Sequence, residues 1–240
     1  SGKNPVIEAL KSERTVHKLL VSDSINKGSI GGVLSLANAK KVVVQFVPKK
    51  KLDQLSDGKN HQGLVAQVAA YDYAEMEDLF AAAEKKGEAP FFIILDEIED
   101  PHNLGSILRT ADATGVHGVI IPKRRAVGLT STVAKTSAGA IEYVPVVRVT
   151  NIVQTIEKLK EQGVWITGTD ASGQELYQGI DFTIPTAFVI GSEGRGMSRL
   201  VKEKCDFVVK LPMVGQITSL NASVAASLCM YEVLRKRLGK

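Results

Sequence analysis

The chain has 240 residues, 44% of them hydrophobic, with a formal net charge of +4 and a sequence pI near 8.9. This length holds one large domain or two small ones, and the mildly basic balance permits a nucleic-acid partner without requiring one. Cys205 and Cys229 make neither a disulfide framework nor a metal-ligand spacing. The four histidines are scattered, so no metal is expected. Neither a signal-peptide pattern nor a membrane-length apolar run is present, so a cytoplasmic protein without membrane association is expected.

Residues 1–71 read as a small α/β module. Pro5 sits just inside a first helix, with Val6, Ile7 and Leu10 at helical spacing. Strands are expected at 16–22, 41–47 and 64–71. A helix is expected at 30–40 and a short one through 52–55. Residues 72–89 are rich in Ala, Glu and Lys and read as a linker with a helix, ending at Pro90.

Residues 90–240 read as a second domain. It opens with an apolar run at 91–96, typical of a buried parallel strand. Next comes a helix at 104–114, with Leu104, Ile107, Leu108 and Ala111 on one face. Arg109 and Ser106 fall on the other face, and Gly115 is placed as a C-cap. Strands at 118–121, 143–147, 164–169, 187–190 and 207–211 alternate with helices at 130–138, 152–162 and after Asn221. Such alternation specifies an α/β fold with a mostly parallel sheet covered on both faces.

Basic residues cluster at Lys49–Lys50–Lys51, Lys123–Arg124–Arg125 and Arg235–Lys236–Arg237. Any one cluster could be a solvated surface; three together point to a polyanion partner. After the apolar run at 187–190 the chain reads Gly191-Ser192-Glu193-Gly194-Arg195-Gly196. Glycines after a strand let a backbone approach a ligand closely. The turn lacks the Gly-Lys-Ser/Thr of a phosphate loop. No dinucleotide fingerprint follows the strand at 91–96, so a nucleotide-binding oxidoreductase is disfavoured.

Three stretches stand at three strand ends: DEIEDPHNLGSILRTADATG, VIGSEGRGMSRL and LPMVGQITSLNASVAASL. In this order they resemble the three motifs of the SpoU family of RNA ribose methyltransferases, in the SPOUT superfamily. GKNPVIEAL near the start and HQGLVAQV at 61–68 are similar to the small, ribosomal-protein-like substrate-binding domain of family members that methylate a guanosine ribose in 23S ribosomal RNA.

The resemblance implies a substrate-binding domain at 1–71, a linker at 72–89 and a catalytic domain at 90–240. The catalytic domain would be a six-stranded parallel sheet with a deep C-terminal trefoil knot. S-adenosylmethionine would be held largely by backbone groups, with contacts at Gly191, Leu211 and Leu220, and at Thr169 and Met213. A homodimer is implied, with its interface close to the active site. The implied activity is 2′-O-methylation of 23S ribosomal RNA at a guanosine. The alternatives are a transfer-RNA ribose methyltransferase and a non-catalytic RNA-binding protein of ribosome assembly.

Methyl transfer to a ribose 2′-oxygen demands alignment and a more nucleophilic hydroxyl. The resemblance gives that activation to Arg109. A guanidinium stays charged at ordinary pH, so gripping a phosphate and polarising the hydroxyl is the role read here. The plain alternative is a surface arginine paired with Asp112. Asn103, Glu193, Asn221 and Ser219 are implied to shape the site. By residue type alone Asn103, Ser219 and Asn221 could be helix caps, and Glu193 a solvated carboxylate. Val224, Leu228, Tyr231 and Leu234 read as core or dimer interface.

Overall fold

The computed structural model describes residues 1–11, 15–56, 60–69, 71–175 and 179–239, with the backbone alone at 174 and 175. The chain forms two compact units, residues 1–72 and 73–240.

In the first unit, β1 (Val16–Ser22) is the central strand of three. It runs parallel to β2 (Val43–Val47) and antiparallel to β3 (Leu64–Val68). Side chains alternate along a strand, so Leu19 and Val21 share one core with Val6 and Leu10 of α1 (Lys3–Lys11) and Val33 of α2 (Gly31–Ala39). Leu20 points the other way, to Val47, Val65 and Leu52 of α3 (Lys49–Leu55). β2 starts two residues later than expected because Lys41 takes a left-handed backbone (φ 54°) as the chain leaves α2. β3 ends at Val68, short of the expected 71; Ala70 lies outside the described residues.

The second unit opens with α4 (Met76–Lys86), begun by a reciprocal Glu75–Asp78 capping box and ended by Gly87 at φ 64°. This helix lies in the segment expected as a linker, yet its fully buried Leu79 belongs to the core of the unit. A Cβ on Gly118 would lie 2.2 Å from Leu79 Cγ, so the helix packs directly onto backbone.

The strands that follow are β4 (Phe91–Leu95), β5 (Gly118–Pro122), β6 (Val146–Val149), β7 (Trp165–Glu175), β8 (Thr186–Ile190) and β9 (Phe207–Lys210). They form one sheet in the order β6-β5-β4-β8-β7-β9, every neighbouring pair parallel. β4 and β8 are buried along their whole length, as expected of strands covered on both faces. The expected strand at 143–147 begins instead at Val146. Pro145 has no N–H for a ladder, and Tyr143 is exposed after a 3-10 turn.

The helices are α5 (Pro101–Ala113), α6 (Ser131–Thr136), α7 (Ile152–Glu161), α8 (Arg199–Lys204) and α9 (Ala222–Arg237). α8 was not anticipated from the sequence. On α5 the buried face is Leu104, Ile107, Leu108 and Ala111, and Arg109 is exposed. Burying each such leucine or isoleucine contributes on the order of 1.5–3 kcal/mol.

The third basic cluster is structural. Arg237 donates to the carbonyls of Ala89, Pro90, Phe182 and Ile184, tying the end of α9 to the entries of β4 and β8. Arg235 grips the buried Glu232 through two bonds of 2.8 Å. The first unit, by contrast, carries eleven Lys and Arg against six Asp and Glu, a net +5, while the whole chain carries +4.

Candidate active site

β4 and β8 are neighbours, but the chain leaves β4 towards β5 and leaves β8 towards β9, on opposite sides. This is a topological switch point, where open α/β sheets bind ligands beyond the carboxyl ends of their strands. At the end of β8 the glycine turn folds back on itself, with Ser192 and Gly196 exchanging both backbone bonds at 3.1 and 2.8 Å. A Cβ on Gly191 would stand 2.1 Å from the Gly196 carbonyl carbon, so only glycine fits there. The buried Asp96, just past β4, accepts the Ser198 N–H at 2.8 Å and holds the far side of the turn.

Beside the middle of β7 and at the ends of β8 and β9 lies a crevice of about 710 Å³. Thr169, Gly191, Leu211, Met213, Ser219 and Leu220 all line it, and so does Glu193. Thr169 Oγ1 donates to the Val189 carbonyl at 3.1 Å, joining β7 to β8 beneath it. From Met213 to Leu220 no backbone group makes a hydrogen bond with another described residue. Backbone donors and acceptors are obligatory hydrogen-bonding groups, so this wall of the crevice presents an unpaired row to solvent or a ligand.

The polar residues gather on Glu193. Its Oε1 accepts from Asn103 Nδ2 at 2.9 Å, Asn221 Nδ2 at 2.6 Å and the Ala222 N–H at 3.2 Å. Asn221 Nδ2 also donates to Asn103 Oδ1 at 3.0 Å. The Asn221 oxygen faces the other way and caps α9, accepting from Ser223 N and Val224 N. No described residue donates to Glu193 Oε2.

Several alternatives left open by the sequence are decided here. Asn103 is not a cap: Asp100 takes that place, accepting from His102 N at 2.8 Å, with Pro101 next. Ser219 is not a cap either; it lines the crevice. Arg109 stands apart from the crevice, and no side-chain hydrogen bond or ion pair joins it to Asp112, Glu193 or any other described residue. Val224, Leu228 and Tyr231 are exposed on α9, so they are not core.

Two features escaped the sequence reading. Asp170 lines the crevice and accepts from Lys202 Nζ at 2.7 Å and from Ser172 N and Oγ. The Lys202 bond is the main reason its carboxyl is held down at about 2. The Asp-x-Ser pattern straight after the strand expected at 164–169 was the available signal, and it falls where the register of β7 shifts. Glu97, in a left-handed conformation (φ 62°), pairs with Arg125 at 2.6 Å and lies 3.9 Å from Arg195 on the crevice rim. Burial pushes the Cys205 thiol up to about 12, which disfavours the thiolate.

The fold and crevice define an α/β protein with room for a small ligand beside backbone at a switch point, with a fixed carboxylate alongside. Comparison with known proteins makes this specific. Residues 90–231 match the model of the SpoU rRNA methylase family, and residues 1–74 match that of the RNA 2′-O ribose methyltransferase substrate-binding domain. The chain belongs to the SpoU family of RNA methyltransferases. It is 63% identical over 236 residues to YacO of Bacillus subtilis, named for the TrmH family of tRNA/rRNA methyltransferases, covering 98% of this chain and 94% of that one. Among solved structures, the SpoU methyltransferase AviRb of Streptomyces viridochromogenes, in complex with the cofactor AdoMet, is similar with a TM-score of 0.64 and 26% identity. That match covers 98% of this chain and 88% of AviRb. The TrmH/SpoU tRNA modifying enzyme of A. aeolicus is similar with a TM-score of 0.58 and 28% identity, covering 68% of this chain and 84% of its own.

Proposed function

We propose that this protein is an S-adenosylmethionine-dependent 2′-O-methyltransferase of 23S ribosomal RNA, acting at a guanosine. The observation that carries the reading is the crevice: a glycine turn, the Leu211 and Leu220 segments and an unpaired backbone wall meet beside the Asn103–Glu193–Asn221 cluster. The residues fit the cofactor. A volume of about 710 Å³ lies in the range of small-molecule sites, and free backbone groups with aliphatic walls suit a ligand held through its adenine and amino-acid ends. When bound, the cofactor supplies a methyl group on a sulfonium. The chain from β8 to α9 would form the deep knot; what supports this is that β9 lies beyond β7 while α9 returns to pack on β8.

The residues divide the work. Gly191, Leu211 and Leu220 hold the cofactor, with Thr169 and Met213 at its edges. Asn103 and Asn221 fix Glu193 through one oxygen, which leaves the second oxygen to orient the ribose, with Ser219 closing the pocket. Arg109 grips a phosphate and polarises the hydroxyl. The protein acts as a homodimer, and the support is a row of exposed Val224, Leu228 and Tyr231 on one helix. Arg109 is next to Thr110, and Leu228 next to Ser227; Thr110 and Ser227 bond each other at 3.0 Å. A partner covering the row would therefore draw Arg109 towards the interface.

The first unit favours ribosomal RNA over transfer RNA. The tRNA modifying enzyme of A. aeolicus matches only 68% of this chain, whereas the substrate-binding model matches residues 1–74 here. A ribosomal RNA substrate places the enzyme in the cytoplasm. The test is methyl transfer from labelled cofactor to unmethylated ribosomal RNA and to transfer RNA, with calorimetry of S-adenosylmethionine and its demethylated product. Label in 23S RNA at a guanosine ribose is expected; label in transfer RNA alone would move the assignment, and no heat with either molecule would sink it.

A further inference from the structure

The HQG stretch of the sequence builds a second cavity, in the first unit. It measures about 410 Å³ and lies between the end of β1, α3 and the loop at 60–63. Apart from Ile25 and Gly63 its lining is polar. Lys49 and Asp53 stand one turn apart on α3 and both line it, yet they form no ion pair with each other.

The back wall is hydrogen-bonded. His61 is only 5% exposed, and its Nδ1 accepts the Gly63 N–H at 3.0 Å. The ring proton is therefore on Nε2, which donates to Asp53 Oδ1 at 2.9 Å. Gln62 and Gly63 both take positive φ (49° and 76°), and a Cβ on Gly63 would stand 2.7 Å from Ile25 Cδ1. The left-handed backbone suits glycine at 63, and the loop holds the Asp53 carboxylate by way of His61. Ser22 and Ser24 join hydroxyls at 2.9 Å on another wall.

A carboxylate and an ammonium facing one cavity do not suit a bare anion, and the lack of an apolar wall does not suit an aliphatic side chain. They suit an edge that carries donors and acceptors side by side. Among the RNA bases, guanine alone sets two adjacent N–H donors, N1 and N2, beside an acceptor, O6. We propose that this cavity receives an unpaired guanine of the RNA substrate, with N1–H and N2–H donating to Asp53 and O6 accepting from Lys49. Single-stranded, unstacked bases are what sequence-specific RNA readers hold by their edges. The inference rests on residues 1–72 being the RNA-capturing unit, which the net charge of +5 there supports.

The test measures binding of the full chain to short oligouridylates carrying one central guanosine, inosine or adenosine, or none. Inosine lacks only the N2 amino group. The guanosine oligomer is expected to bind tightest, by about tenfold over the all-uridine one, the scale of one good two-bond base contact, with inosine between. Asp53→Asn keeps an acceptor for His61 but should erase the guanosine–inosine difference. Ser24→Phe, at an exposed position on the rim, should lower guanosine binding to the uridine level while the fold and cofactor affinity are kept. If all four oligomers bind the parent protein equally, or if Ser24→Phe binds guanosine as the parent does, the guanine site is wrong and RNA capture stands. If none binds even at low salt, RNA capture by this unit is wrong and the site falls with it.

Discussion

Asn103 and Glu193 lie ninety positions apart, yet Asn103 Nδ2 donates to Glu193 Oε1 at 2.9 Å across the ends of β4 and β8. The bond exists because those two strands are neighbours at the switch point. It fixes the carboxylate by one oxygen and leaves the other exposed. Glu193→Ala should leave the amide groups of Asn103 and Asn221 and the Ala222 N–H short of an acceptor, costing about 1–3 kcal/mol. Methyl transfer should fall by about a hundredfold, the scale of losing one positioned electrostatic group. Glu193→Gln keeps a carbonyl oxygen for the same donors and should melt near the parent. Single-turnover methylation beside thermal melting separates the two variants; equal rates for Ala and parent would remove Glu193 from the site.

Arg109 is exposed on α5 and touches none of the crevice. Arg109→Ala should change stability within roughly 0.5 kcal/mol, as at other surface positions, and leave cofactor affinity as it is. Methylation should nonetheless fall by about a hundredfold or more. Arg109→Lys should rescue little, since an ammonium cannot reproduce a planar two-pronged grip. A parent-like rate in Arg109→Ala would make this a surface residue.

The α9 face tests the dimer. Leu228→Arg places a charge among Val224 and Tyr231, on the side away from the buried Ala226, Cys229, Met230 and Val233. The variant should fold and bind cofactor, sediment at half the parent mass, and lose methyl transfer. A monomeric parent protein would refute the dimer at once.

The boundary of the catalytic unit follows from Leu79. A chain begun at Pro90 would lose α4 and open a cavity over Gly118, a loss of about 2–5 kcal/mol if it behaves as a leucine deleted from a core. A chain begun at Tyr73 keeps that packing, and keeps the Tyr73 hydroxyl that accepts from Leu129 N at 2.9 Å. It should bind cofactor like the full chain and bind RNA less tightly. The lost affinity should be the salt-sensitive part, because phosphate contacts release counterions. RNA affinity equal to that of the full chain would end this division of labour.

His117 gives a pH dependence. It is buried beside Phe91, its Nδ1 accepting the Phe91 N–H at 3.0 Å and its Nε2 bonded to Glu88. Burial pushes its pKa below the usual 6.5. Protons then bind the unfolded chain more readily, so the neutral ring's contribution is complete above about pH 6.5 and is lost as pH falls from there through the folded value. His117→Gln should flatten that part of the stability curve, which urea titrations across the acid range would reveal. An unchanged slope would mean that the ring takes a proton without disturbing the fold.

Periodicity and turn chemistry determined most of the elements. Leu104, Ile107, Leu108 and Ala111 fall at helical spacing, and that spacing alone placed Arg109 on the open face. The run at 91–95 has the composition of a buried strand, and Gly191 marked a close approach. These are local properties, legible because a helix or strand repeats on a fixed period. The tertiary structure decided what depends on distant neighbours. It made Asp100 the cap and freed Asn103 for Glu193. It turned Arg237 from a charge into a strap across four carbonyls, and placed Asp170 beside Lys202. It also buried Leu79 against Gly118 in a stretch whose composition reads as linker. Apart from the local Asp100 cap, each of these needs a partner tens of residues away, brought close by the strand order, and no window of sequence contains both members of the pair.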